Sequence, residues 1–363
     1  MTAPAILERE ALEQLQRLLA ADPLAADSRL VDIPANKPPW QDTGLRLDRG
    51  DLVSTFAVGR VVPIPGLDVW FDPAFQLWGR IGESGQVFRG TRVTNTFTAA
   101  DHGRLEFGSY FPGEWSDRHG RLAVPADAYR SASGGIVALV VRWARNADPA
   151  ACLRAHAGEP SGLVAAELDR LVAGAVAPPK GWRYLWYLGD SEIFSPSVDA
   201  TAPGGIDCRT RADVGILQHD VDLPLTEGTR FQWSWRVDEL PSVLPEDTLP
   251  THDYLSIALE FDNGQDLSWY WSSALPVGHS YRCPIPTWTG KETHLVVRSG
   301  TAQLGSWLTE QRSVLSDYAT AVGSPPQRIV KVWLIAVTLF QRHTGRCAFR
   351  DIMLTDGHRQ IRI

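Results

Sequence analysis

The chain has 363 residues, 44% of them hydrophobic and 21% charged, and a formal net charge of −7. That length predicts two domains, the composition excludes disordered and collagen-like classes, and a negative balance without clustered Lys/Arg argues against a nucleic-acid partner. No apolar run approaches the roughly 18 residues of a membrane span, and the first residues lack the features of a secretory leader, so no membrane partner and a cytoplasmic location are expected.

Residues 1–30 read as an amphipathic helix, with Ile6, Leu12, Leu15, Leu18 and Leu19 near helical spacing. A Pro-rich lead-in, DIPANKPPW, then opens a first β-domain placed at residues 38–146. Leu45, Leu47, Leu52 and the run 54–58 carry the period-two pattern of half-buried strands, and Gly and Pro punctuate the chain at short intervals as far as Gly120. The stretch GGIVALVVRW (134–143) reads as a fully buried strand. Residues 147–180 change to Ala-rich helical periodicity around Pro160, which predicts a linker of one or two helices.

A second β-domain is placed at residues 181–363. In FQWSWRV the residues Phe231, Trp233, Trp235 and Val237 share one face; in YLSIALEFD the inward set is Leu255, Ile257, Leu259 and Phe261. DLSWYWS, HLVVRSG, VKVWLIAVTLF and CAFRDIML continue the pattern, and 305–323 reads as a helix with Trp307, Leu308, Val314 and Tyr318 on its packing stripe. The predicted fold class is mainly β: two jelly-roll or galactose-binding-like β-sandwich domains with an N-terminal helix and a helical linker.

Two resemblances follow from these residues. WQDTGLRLDRGDLVSTFAVGR (40–60) together with LWGRIGESGQVFRG, TNTFTAADHGRLEFG and SYFPGEWSDRHGRLAV resembles the calcium-dependent galactose-binding bacterial lectins, over about a third of the chain. That resemblance implies a small β-sandwich that binds sugar through a metal held in the loop after a Pro-Gly pair, with Glu114 and Asp117 as the oxygen donors here. The chain departs from the lectin pattern where Tyr110 stands in place of an Asp and Arg118 in place of an amide. A guanidinium repels a cation, so the loop reads as a turn in which Arg118 forks to Asp117 or Glu114, with calcium as the alternative. The succession from FQWSWRVDELP to CAFRDIML resembles an uncharacterised bacterial β-sandwich family, a domain of unknown function, which implies a fold and no activity. Thr338, Leu339 and Phe340 stand where an Asp-x-Asp pair is usual in that family.

Candidate sites concentrate in the second domain. If its strands pair in sequence, Arg236, Glu260, Tyr270 and Arg298 lie on one polar face beside Trp269, Trp271 or Trp288, suited to an oxygen-rich ligand or to acid-base chemistry. Trp233, Trp235, Trp269 and Trp271 join Arg236 and Arg298 as the ligand-binding set; Asp253, Glu260 and Tyr270 are the catalytic candidates. Against this stand ordinary cross-strand ion pairing for Arg236 and Glu260, and core packing for the tryptophans, which 14 Trp in one chain favour on their own. His219-Asp220 and His252-Asp253 are not ready-made dyads, because adjacent strand residues point to opposite faces. The four cysteines form no CxxC unit and read as reduced thiols, and hydrolase, kinase, metalloprotease and dinucleotide motifs are missing. The expected function is binding of a saccharide or glycosylated small molecule, without a cofactor. A cofactor-independent cyclase, lyase or isomerase acting on a hydrophobic substrate is the alternative.

Overall fold

The computed structural model describes residues 3–89, 92–110, 115–199 and 203–363, with side chains from residue 7 onward. The chain divides into two units, Met1–Ala175 and Val176–Ile363. It is mainly β throughout, as its period-two stripes require. No helix among the described residues is long and apolar enough to cross a membrane.

The first unit runs through α1 (Ala3–Ala20), β1 (Ala25–Pro34), β2 (Gln41–Leu47), β3 (Leu52–Val62), α2 (Pro73–Gln76), β4 (Leu77–Ile81), β5 (Phe88–Arg89), β6 (Thr94–Thr98), β7 (Gly103–Ser109), β8 (Ser133–Trp143), α3 (Pro149–Arg154) and α4 (Leu163–Ala173). Two four-stranded sheets, ordered β1-β8-β3-β6 and β2-β7-β4-β5, form its layers. Val53, Ala57, Ile136 and Ala138 of the first sheet meet Leu47, Leu77, Leu105 and Phe107 of the second in one apolar core. The opposite face of the first sheet is also covered: Leu12, Leu15 and Leu19 of α1, with Leu153 and Val164, pack on Phe56, Leu139, Val141 and Trp143. Burial on both faces is why β8 lacks polar alternation in its second half.

Two boundaries differ from the sequence reading. The helix stops at Ala20, ahead of Pro23, where the Asp22 carboxylate accepts the Leu24 N–H at 2.8 Å; residues 25–34 form a strand along β8 rather than a helix end. The helices at 149–173 are not a bare linker, since their apolar residues complete the second core of the first unit. Asp148 starts α3 by accepting the Ala150 N–H at 3.0 Å, with Pro149 at the first helical position.

The second unit contains β9 (Arg183–Tyr184), β10 (Phe194–Pro196), β11 (Ile206–Arg211), β12 (Val214–Pro224), β13 (Arg230–Glu239), β14 (Tyr254–Phe261), β15 (Asp266–Ser272), β16 (Ser280–Arg282), β17 (Glu292–Ser299), β18 (Leu308–Ser313), α5 (Val314–Ala321), β19 (Arg328–Val337), β20 (Thr344–Thr355) and β21 (Gln360–Arg362). One sheet is ordered β10-β11-β20-β13-β18, with β21 alongside β20; the other is β16-β17-β15-β14-β19-β12-β9. Phe231, Trp233, Trp235 and Val237 face Leu255, Ile257, Leu259, Trp269 and Trp271 across the layers. The four indoles interlock at centroid distances of 5.7 to 5.9 Å.

The helix read over 305–323 is half strand. Residues 308–313 pair with β13, from Leu308 opposite Trp235 to Ser313 opposite Arg230, and only then does α5 begin. A sheet edge with unpaired N–H and C=O groups overrides a helical pattern of modest strength. Asp317 accepts two hydrogen bonds from Arg312, at 2.7 and 2.8 Å, and one from Trp269 Nε1 at 2.8 Å, tying α5 to both sheets.

Candidate functional site

Strand order decides which polar side chains meet. Because β13 joins the six-stranded sheet, Arg236 does not share a face with Glu260 or Tyr270; it binds Asp238 and Asp199 and lies over the Trp307 ring. Arg298 is displaced by a different cause. The register between β15 and β17 shifts after Tyr270, so Arg298 is opposite the inward Trp271 and its Nε donates to Glu310 of the other sheet at 2.6 Å. Trp233, Trp235, Trp269 and Trp271 are at most 1% exposed inside the sandwich and offer no face to a ligand. Their indole chemistry went to packing.

Asp253 is likewise structural in its contacts. Its two carboxylate oxygens accept the backbone N–H groups of Phe340 at 2.9 Å and Gln341 at 2.7 Å, which closes the turn after β19. Burial pushes its carboxyl up to about 7, against those amide hydrogen bonds. In the first unit Glu114 lies outside the described residues. Asp117 accepts the His119 N–H at 2.9 Å and pairs with Arg121 at 3.3 Å, so Arg121 supplies a guanidinium to this carboxylate.

What remains is the outer face of the seven-stranded sheet, which Glu260 and Tyr270 share without meeting: Glu260 stands opposite Asp266 and Tyr270 opposite Ser256. The registers align Gln218, Trp333, Ala258, Ser268, His294 and Tyr281 in one row across six strands. A second row runs through Asp220, Lys331, Glu260, Asp266 and Glu292, with Lys331 bonded to Glu260. An outward face with Ser256, Ala258 and Ser268 reads as solvated, yet all three are fully buried. The connections between strands fold over it. Glu246, in the connection before β14, is anchored there by Ser272 Oγ and by the N–H and Oγ of Ser273. Trp288, ahead of β17, packs edge-on to Trp333, with Tyr187 beside it.

The central residues of this face are small and the surrounding ones polar or aromatic. Several buried polar atoms here make no hydrogen bond: Asp266 Oδ1, Tyr270 Oη, Trp333 Nε1 and His294 Nδ1, while His294 Nε2 has only a long ion pair with Glu292. Tyr281 stacks on His294 at 5.0 Å and 16°, and its hydroxyl donates to the Glu246 carbonyl at 3.2 Å. Burial, reinforced by the charges of Glu292 and Glu260, pushes Asp266 well above the usual carboxylate range.

At one edge of the face, His252, Cys283 and His294 bring their ligand atoms within 4.8 Å of one another. Cys283 Sγ lies 3.3 Å from His252 Nε2, while His252 Nδ1 is 2.7 Å from the Glu246 carbonyl. A carbonyl only accepts, so Nδ1 carries the proton and Nε2 presents its lone pair to the cluster. Burial, then the neighbouring His294, lowers His252 to about 3, which keeps it neutral. Glu292 stands 3.6 Å from His294 Nε2 and accepts from the Tyr254 hydroxyl at 3.2 Å. Among the described residues, His252, Cys283 and His294 are the group able to hold a metal; the sequence singled out His252 only for its neighbour Asp253 and did not single out His294, because three separate segments supply the set.

The fold and this face define a β-sandwich with a covered polar surface. The family described as a protein of unknown function, DUF3047, matches residues 197–353, which contain every residue of the His252, Cys283 and His294 cluster. The expected resemblance of the C-terminal region to an uncharacterised family is thereby borne out. No curated protein matches the chain. Among solved structures, a PllA-like lectin, the EclA N-terminal domain, is 14% identical over 31% of this chain and 95% of its own, with a TM-score of 0.26. The xyloglucanase domain of NopAA, a type three effector from Sinorhizobium fredii solved with cellobiose, is 12% identical over 42% of this chain and 81% of its own, with a TM-score of 0.28.

Proposed function

We propose that the second unit binds a small hydroxyl-rich molecule, a saccharide or a glycosylated compound, on the covered face of the seven-stranded sheet. The observation that carries this reading is the group of buried donors and acceptors without hydrogen bonds: Asp266 Oδ1, Tyr270 Oη and Trp333 Nε1. Leaving a buried polar group unmatched costs about 1–3 kcal/mol, so such groups collect where water or a ligand supplies the missing bonds. Each of these groups suits a hydroxyl. The Asp266 carboxyl accepts, the Tyr270 phenol both donates and accepts, and the Trp333 indole donates. Ser256, Ala258 and Ser268 keep the floor between them low, while Trp333 and Trp288 bring aromatic rings to one side.

Native mass spectrometry of the freshly purified full chain, followed by thermal-shift titration with neutral mono- and oligosaccharides, tests the proposal. A bound ligand at 100 times its Kd stabilises the fold by about 2.7 kcal/mol, which is readily seen as a rise in Tm. Tyr270→Phe is expected to weaken binding by roughly tenfold, the loss of one hydrogen bond. Absence of any copurified adduct, together with an unchanged Tm across the panel, would remove saccharides as the ligand class.

A further inference from the structure

The cluster at the edge of the polar face points to a different ligand. We propose that His252, Cys283 and His294 form a transition-metal site of the zinc class, with the Glu292 carboxylate at the fourth position. Imidazole and thiolate are the donors that zinc takes in tetrahedral sites, at about 2.0–2.1 Å for nitrogen and 2.3 Å for sulfur. Those bond lengths give tetrahedron edges of about 3.3–3.8 Å. The Sγ to His252 Nε2 distance is 3.3 Å and the Glu292 to His294 Nε2 distance is 3.6 Å. Two edges therefore already have the required length, and the widest separation among the three His and Cys ligand atoms is 4.8 Å.

The environment is organised in the same sense. The Glu246 carbonyl fixes the His252 tautomer that turns Nε2 toward Cys283, as the outer partner of a metal-bound imidazole does. His294 is the second, independent observation. It is fully buried, packed among His252, Tyr254, Tyr270 and Tyr281; its Nδ1 has no hydrogen-bond partner, and its Nε2 has only the Glu292 carboxylate at 3.6 Å, long for a hydrogen bond. A plain polar core would be satisfied by the Cys283 thiol donating to His252 Nε2 and by the ion pair of His294 Nε2 with Glu292 at 3.6 Å, but that arrangement leaves His294 Nδ1 bare and no atom joining the two pairs. A metal held by Nε2 and Glu292 together replaces that long contact with two bonds and joins the two halves of the cluster. Binding releases the thiol proton, and one thiolate with one carboxylate then balances a divalent cation.

The site does not depend on the saccharide reading, because the metal is assayed alone. The full chain, produced in medium supplemented with zinc, is expected to carry about one equivalent by elemental analysis. Produced with cobalt(II) instead, it is expected to show the near-ultraviolet thiolate-to-cobalt band and the visible bands of tetrahedral coordination. Cys283→Ser should abolish the thiolate band, and His294→Gln should weaken retention by about tenfold or more. Should either variant misfold by circular dichroism, the cobalt spectrum of the unaltered chain still decides. A folded chain with less than about a tenth of an equivalent of metal, or with cobalt bound but no thiolate band, would overturn the site.

Discussion

Single residues in this protein show how burial converts a side chain's usual role. Glu167 on α4 is fully buried, and Arg170 holds it with two hydrogen bonds of 2.8 Å while also donating to the Thr96 carbonyl at 3.2 Å. Removing one member of such a pair strands a charge in the interior. Arg170→Ala is expected to destabilise the first unit by about 3–5 kcal/mol, whereas the double change Glu167→Leu with Arg170→Met should cost much less, as measured by urea unfolding. Asp253 and Tyr270 were legible as candidates by chemical type. Only the backbone of Phe340 and Gln341 shows that Asp253 closes a turn, and only the strand pairing shows that Tyr270 stands opposite the buried Ser256. The His252, Cys283 and His294 cluster left no spacing signal, because a loop, a post-strand segment and a strand interior each contribute one residue.

At the scale of elements, the period-two stripes were legible and held: Phe231 to Val237 and Leu255 to Phe261 turn the same side chains inward that their alternation predicts. Partner choice was not legible, since alternation gives the face of a strand but not its neighbour. Placing β13 in the opposite sheet from β14 separated Arg236 from Glu260, and a one-residue register shift in β17 removed Arg298. The segment at 308–321 failed for a related reason, because its first half satisfies an edge that only the assembled sheet presents. Asp317 is the joint between its two halves. Asp317→Ala takes the acceptor from Arg312 and Trp269 together, and a loss of about 2–3 kcal/mol in urea-unfolding stability is expected.

At the scale of the whole molecule, the division into two units falls at 175/176, between the change of pattern near residue 147 and the return to strands near 181. Sequence could not show that both units cover a sheet on two sides. In the first, helices do so with leucines, a recognisable stripe. In the second, strand connections do so over serines and alanines, which carry no such mark. That roofed sheet has a kinetic consequence: amides of β14, β15 and β19 have neighbouring strands on each flank and a lid above. Deuterium should enter them last, on the timescale of global opening, while the edge strand β16 labels early. Mass-resolved labelling of peptides from these strands would read that order directly, and any molecule seated under the lid should slow the lid's own exchange before it alters the strands beneath.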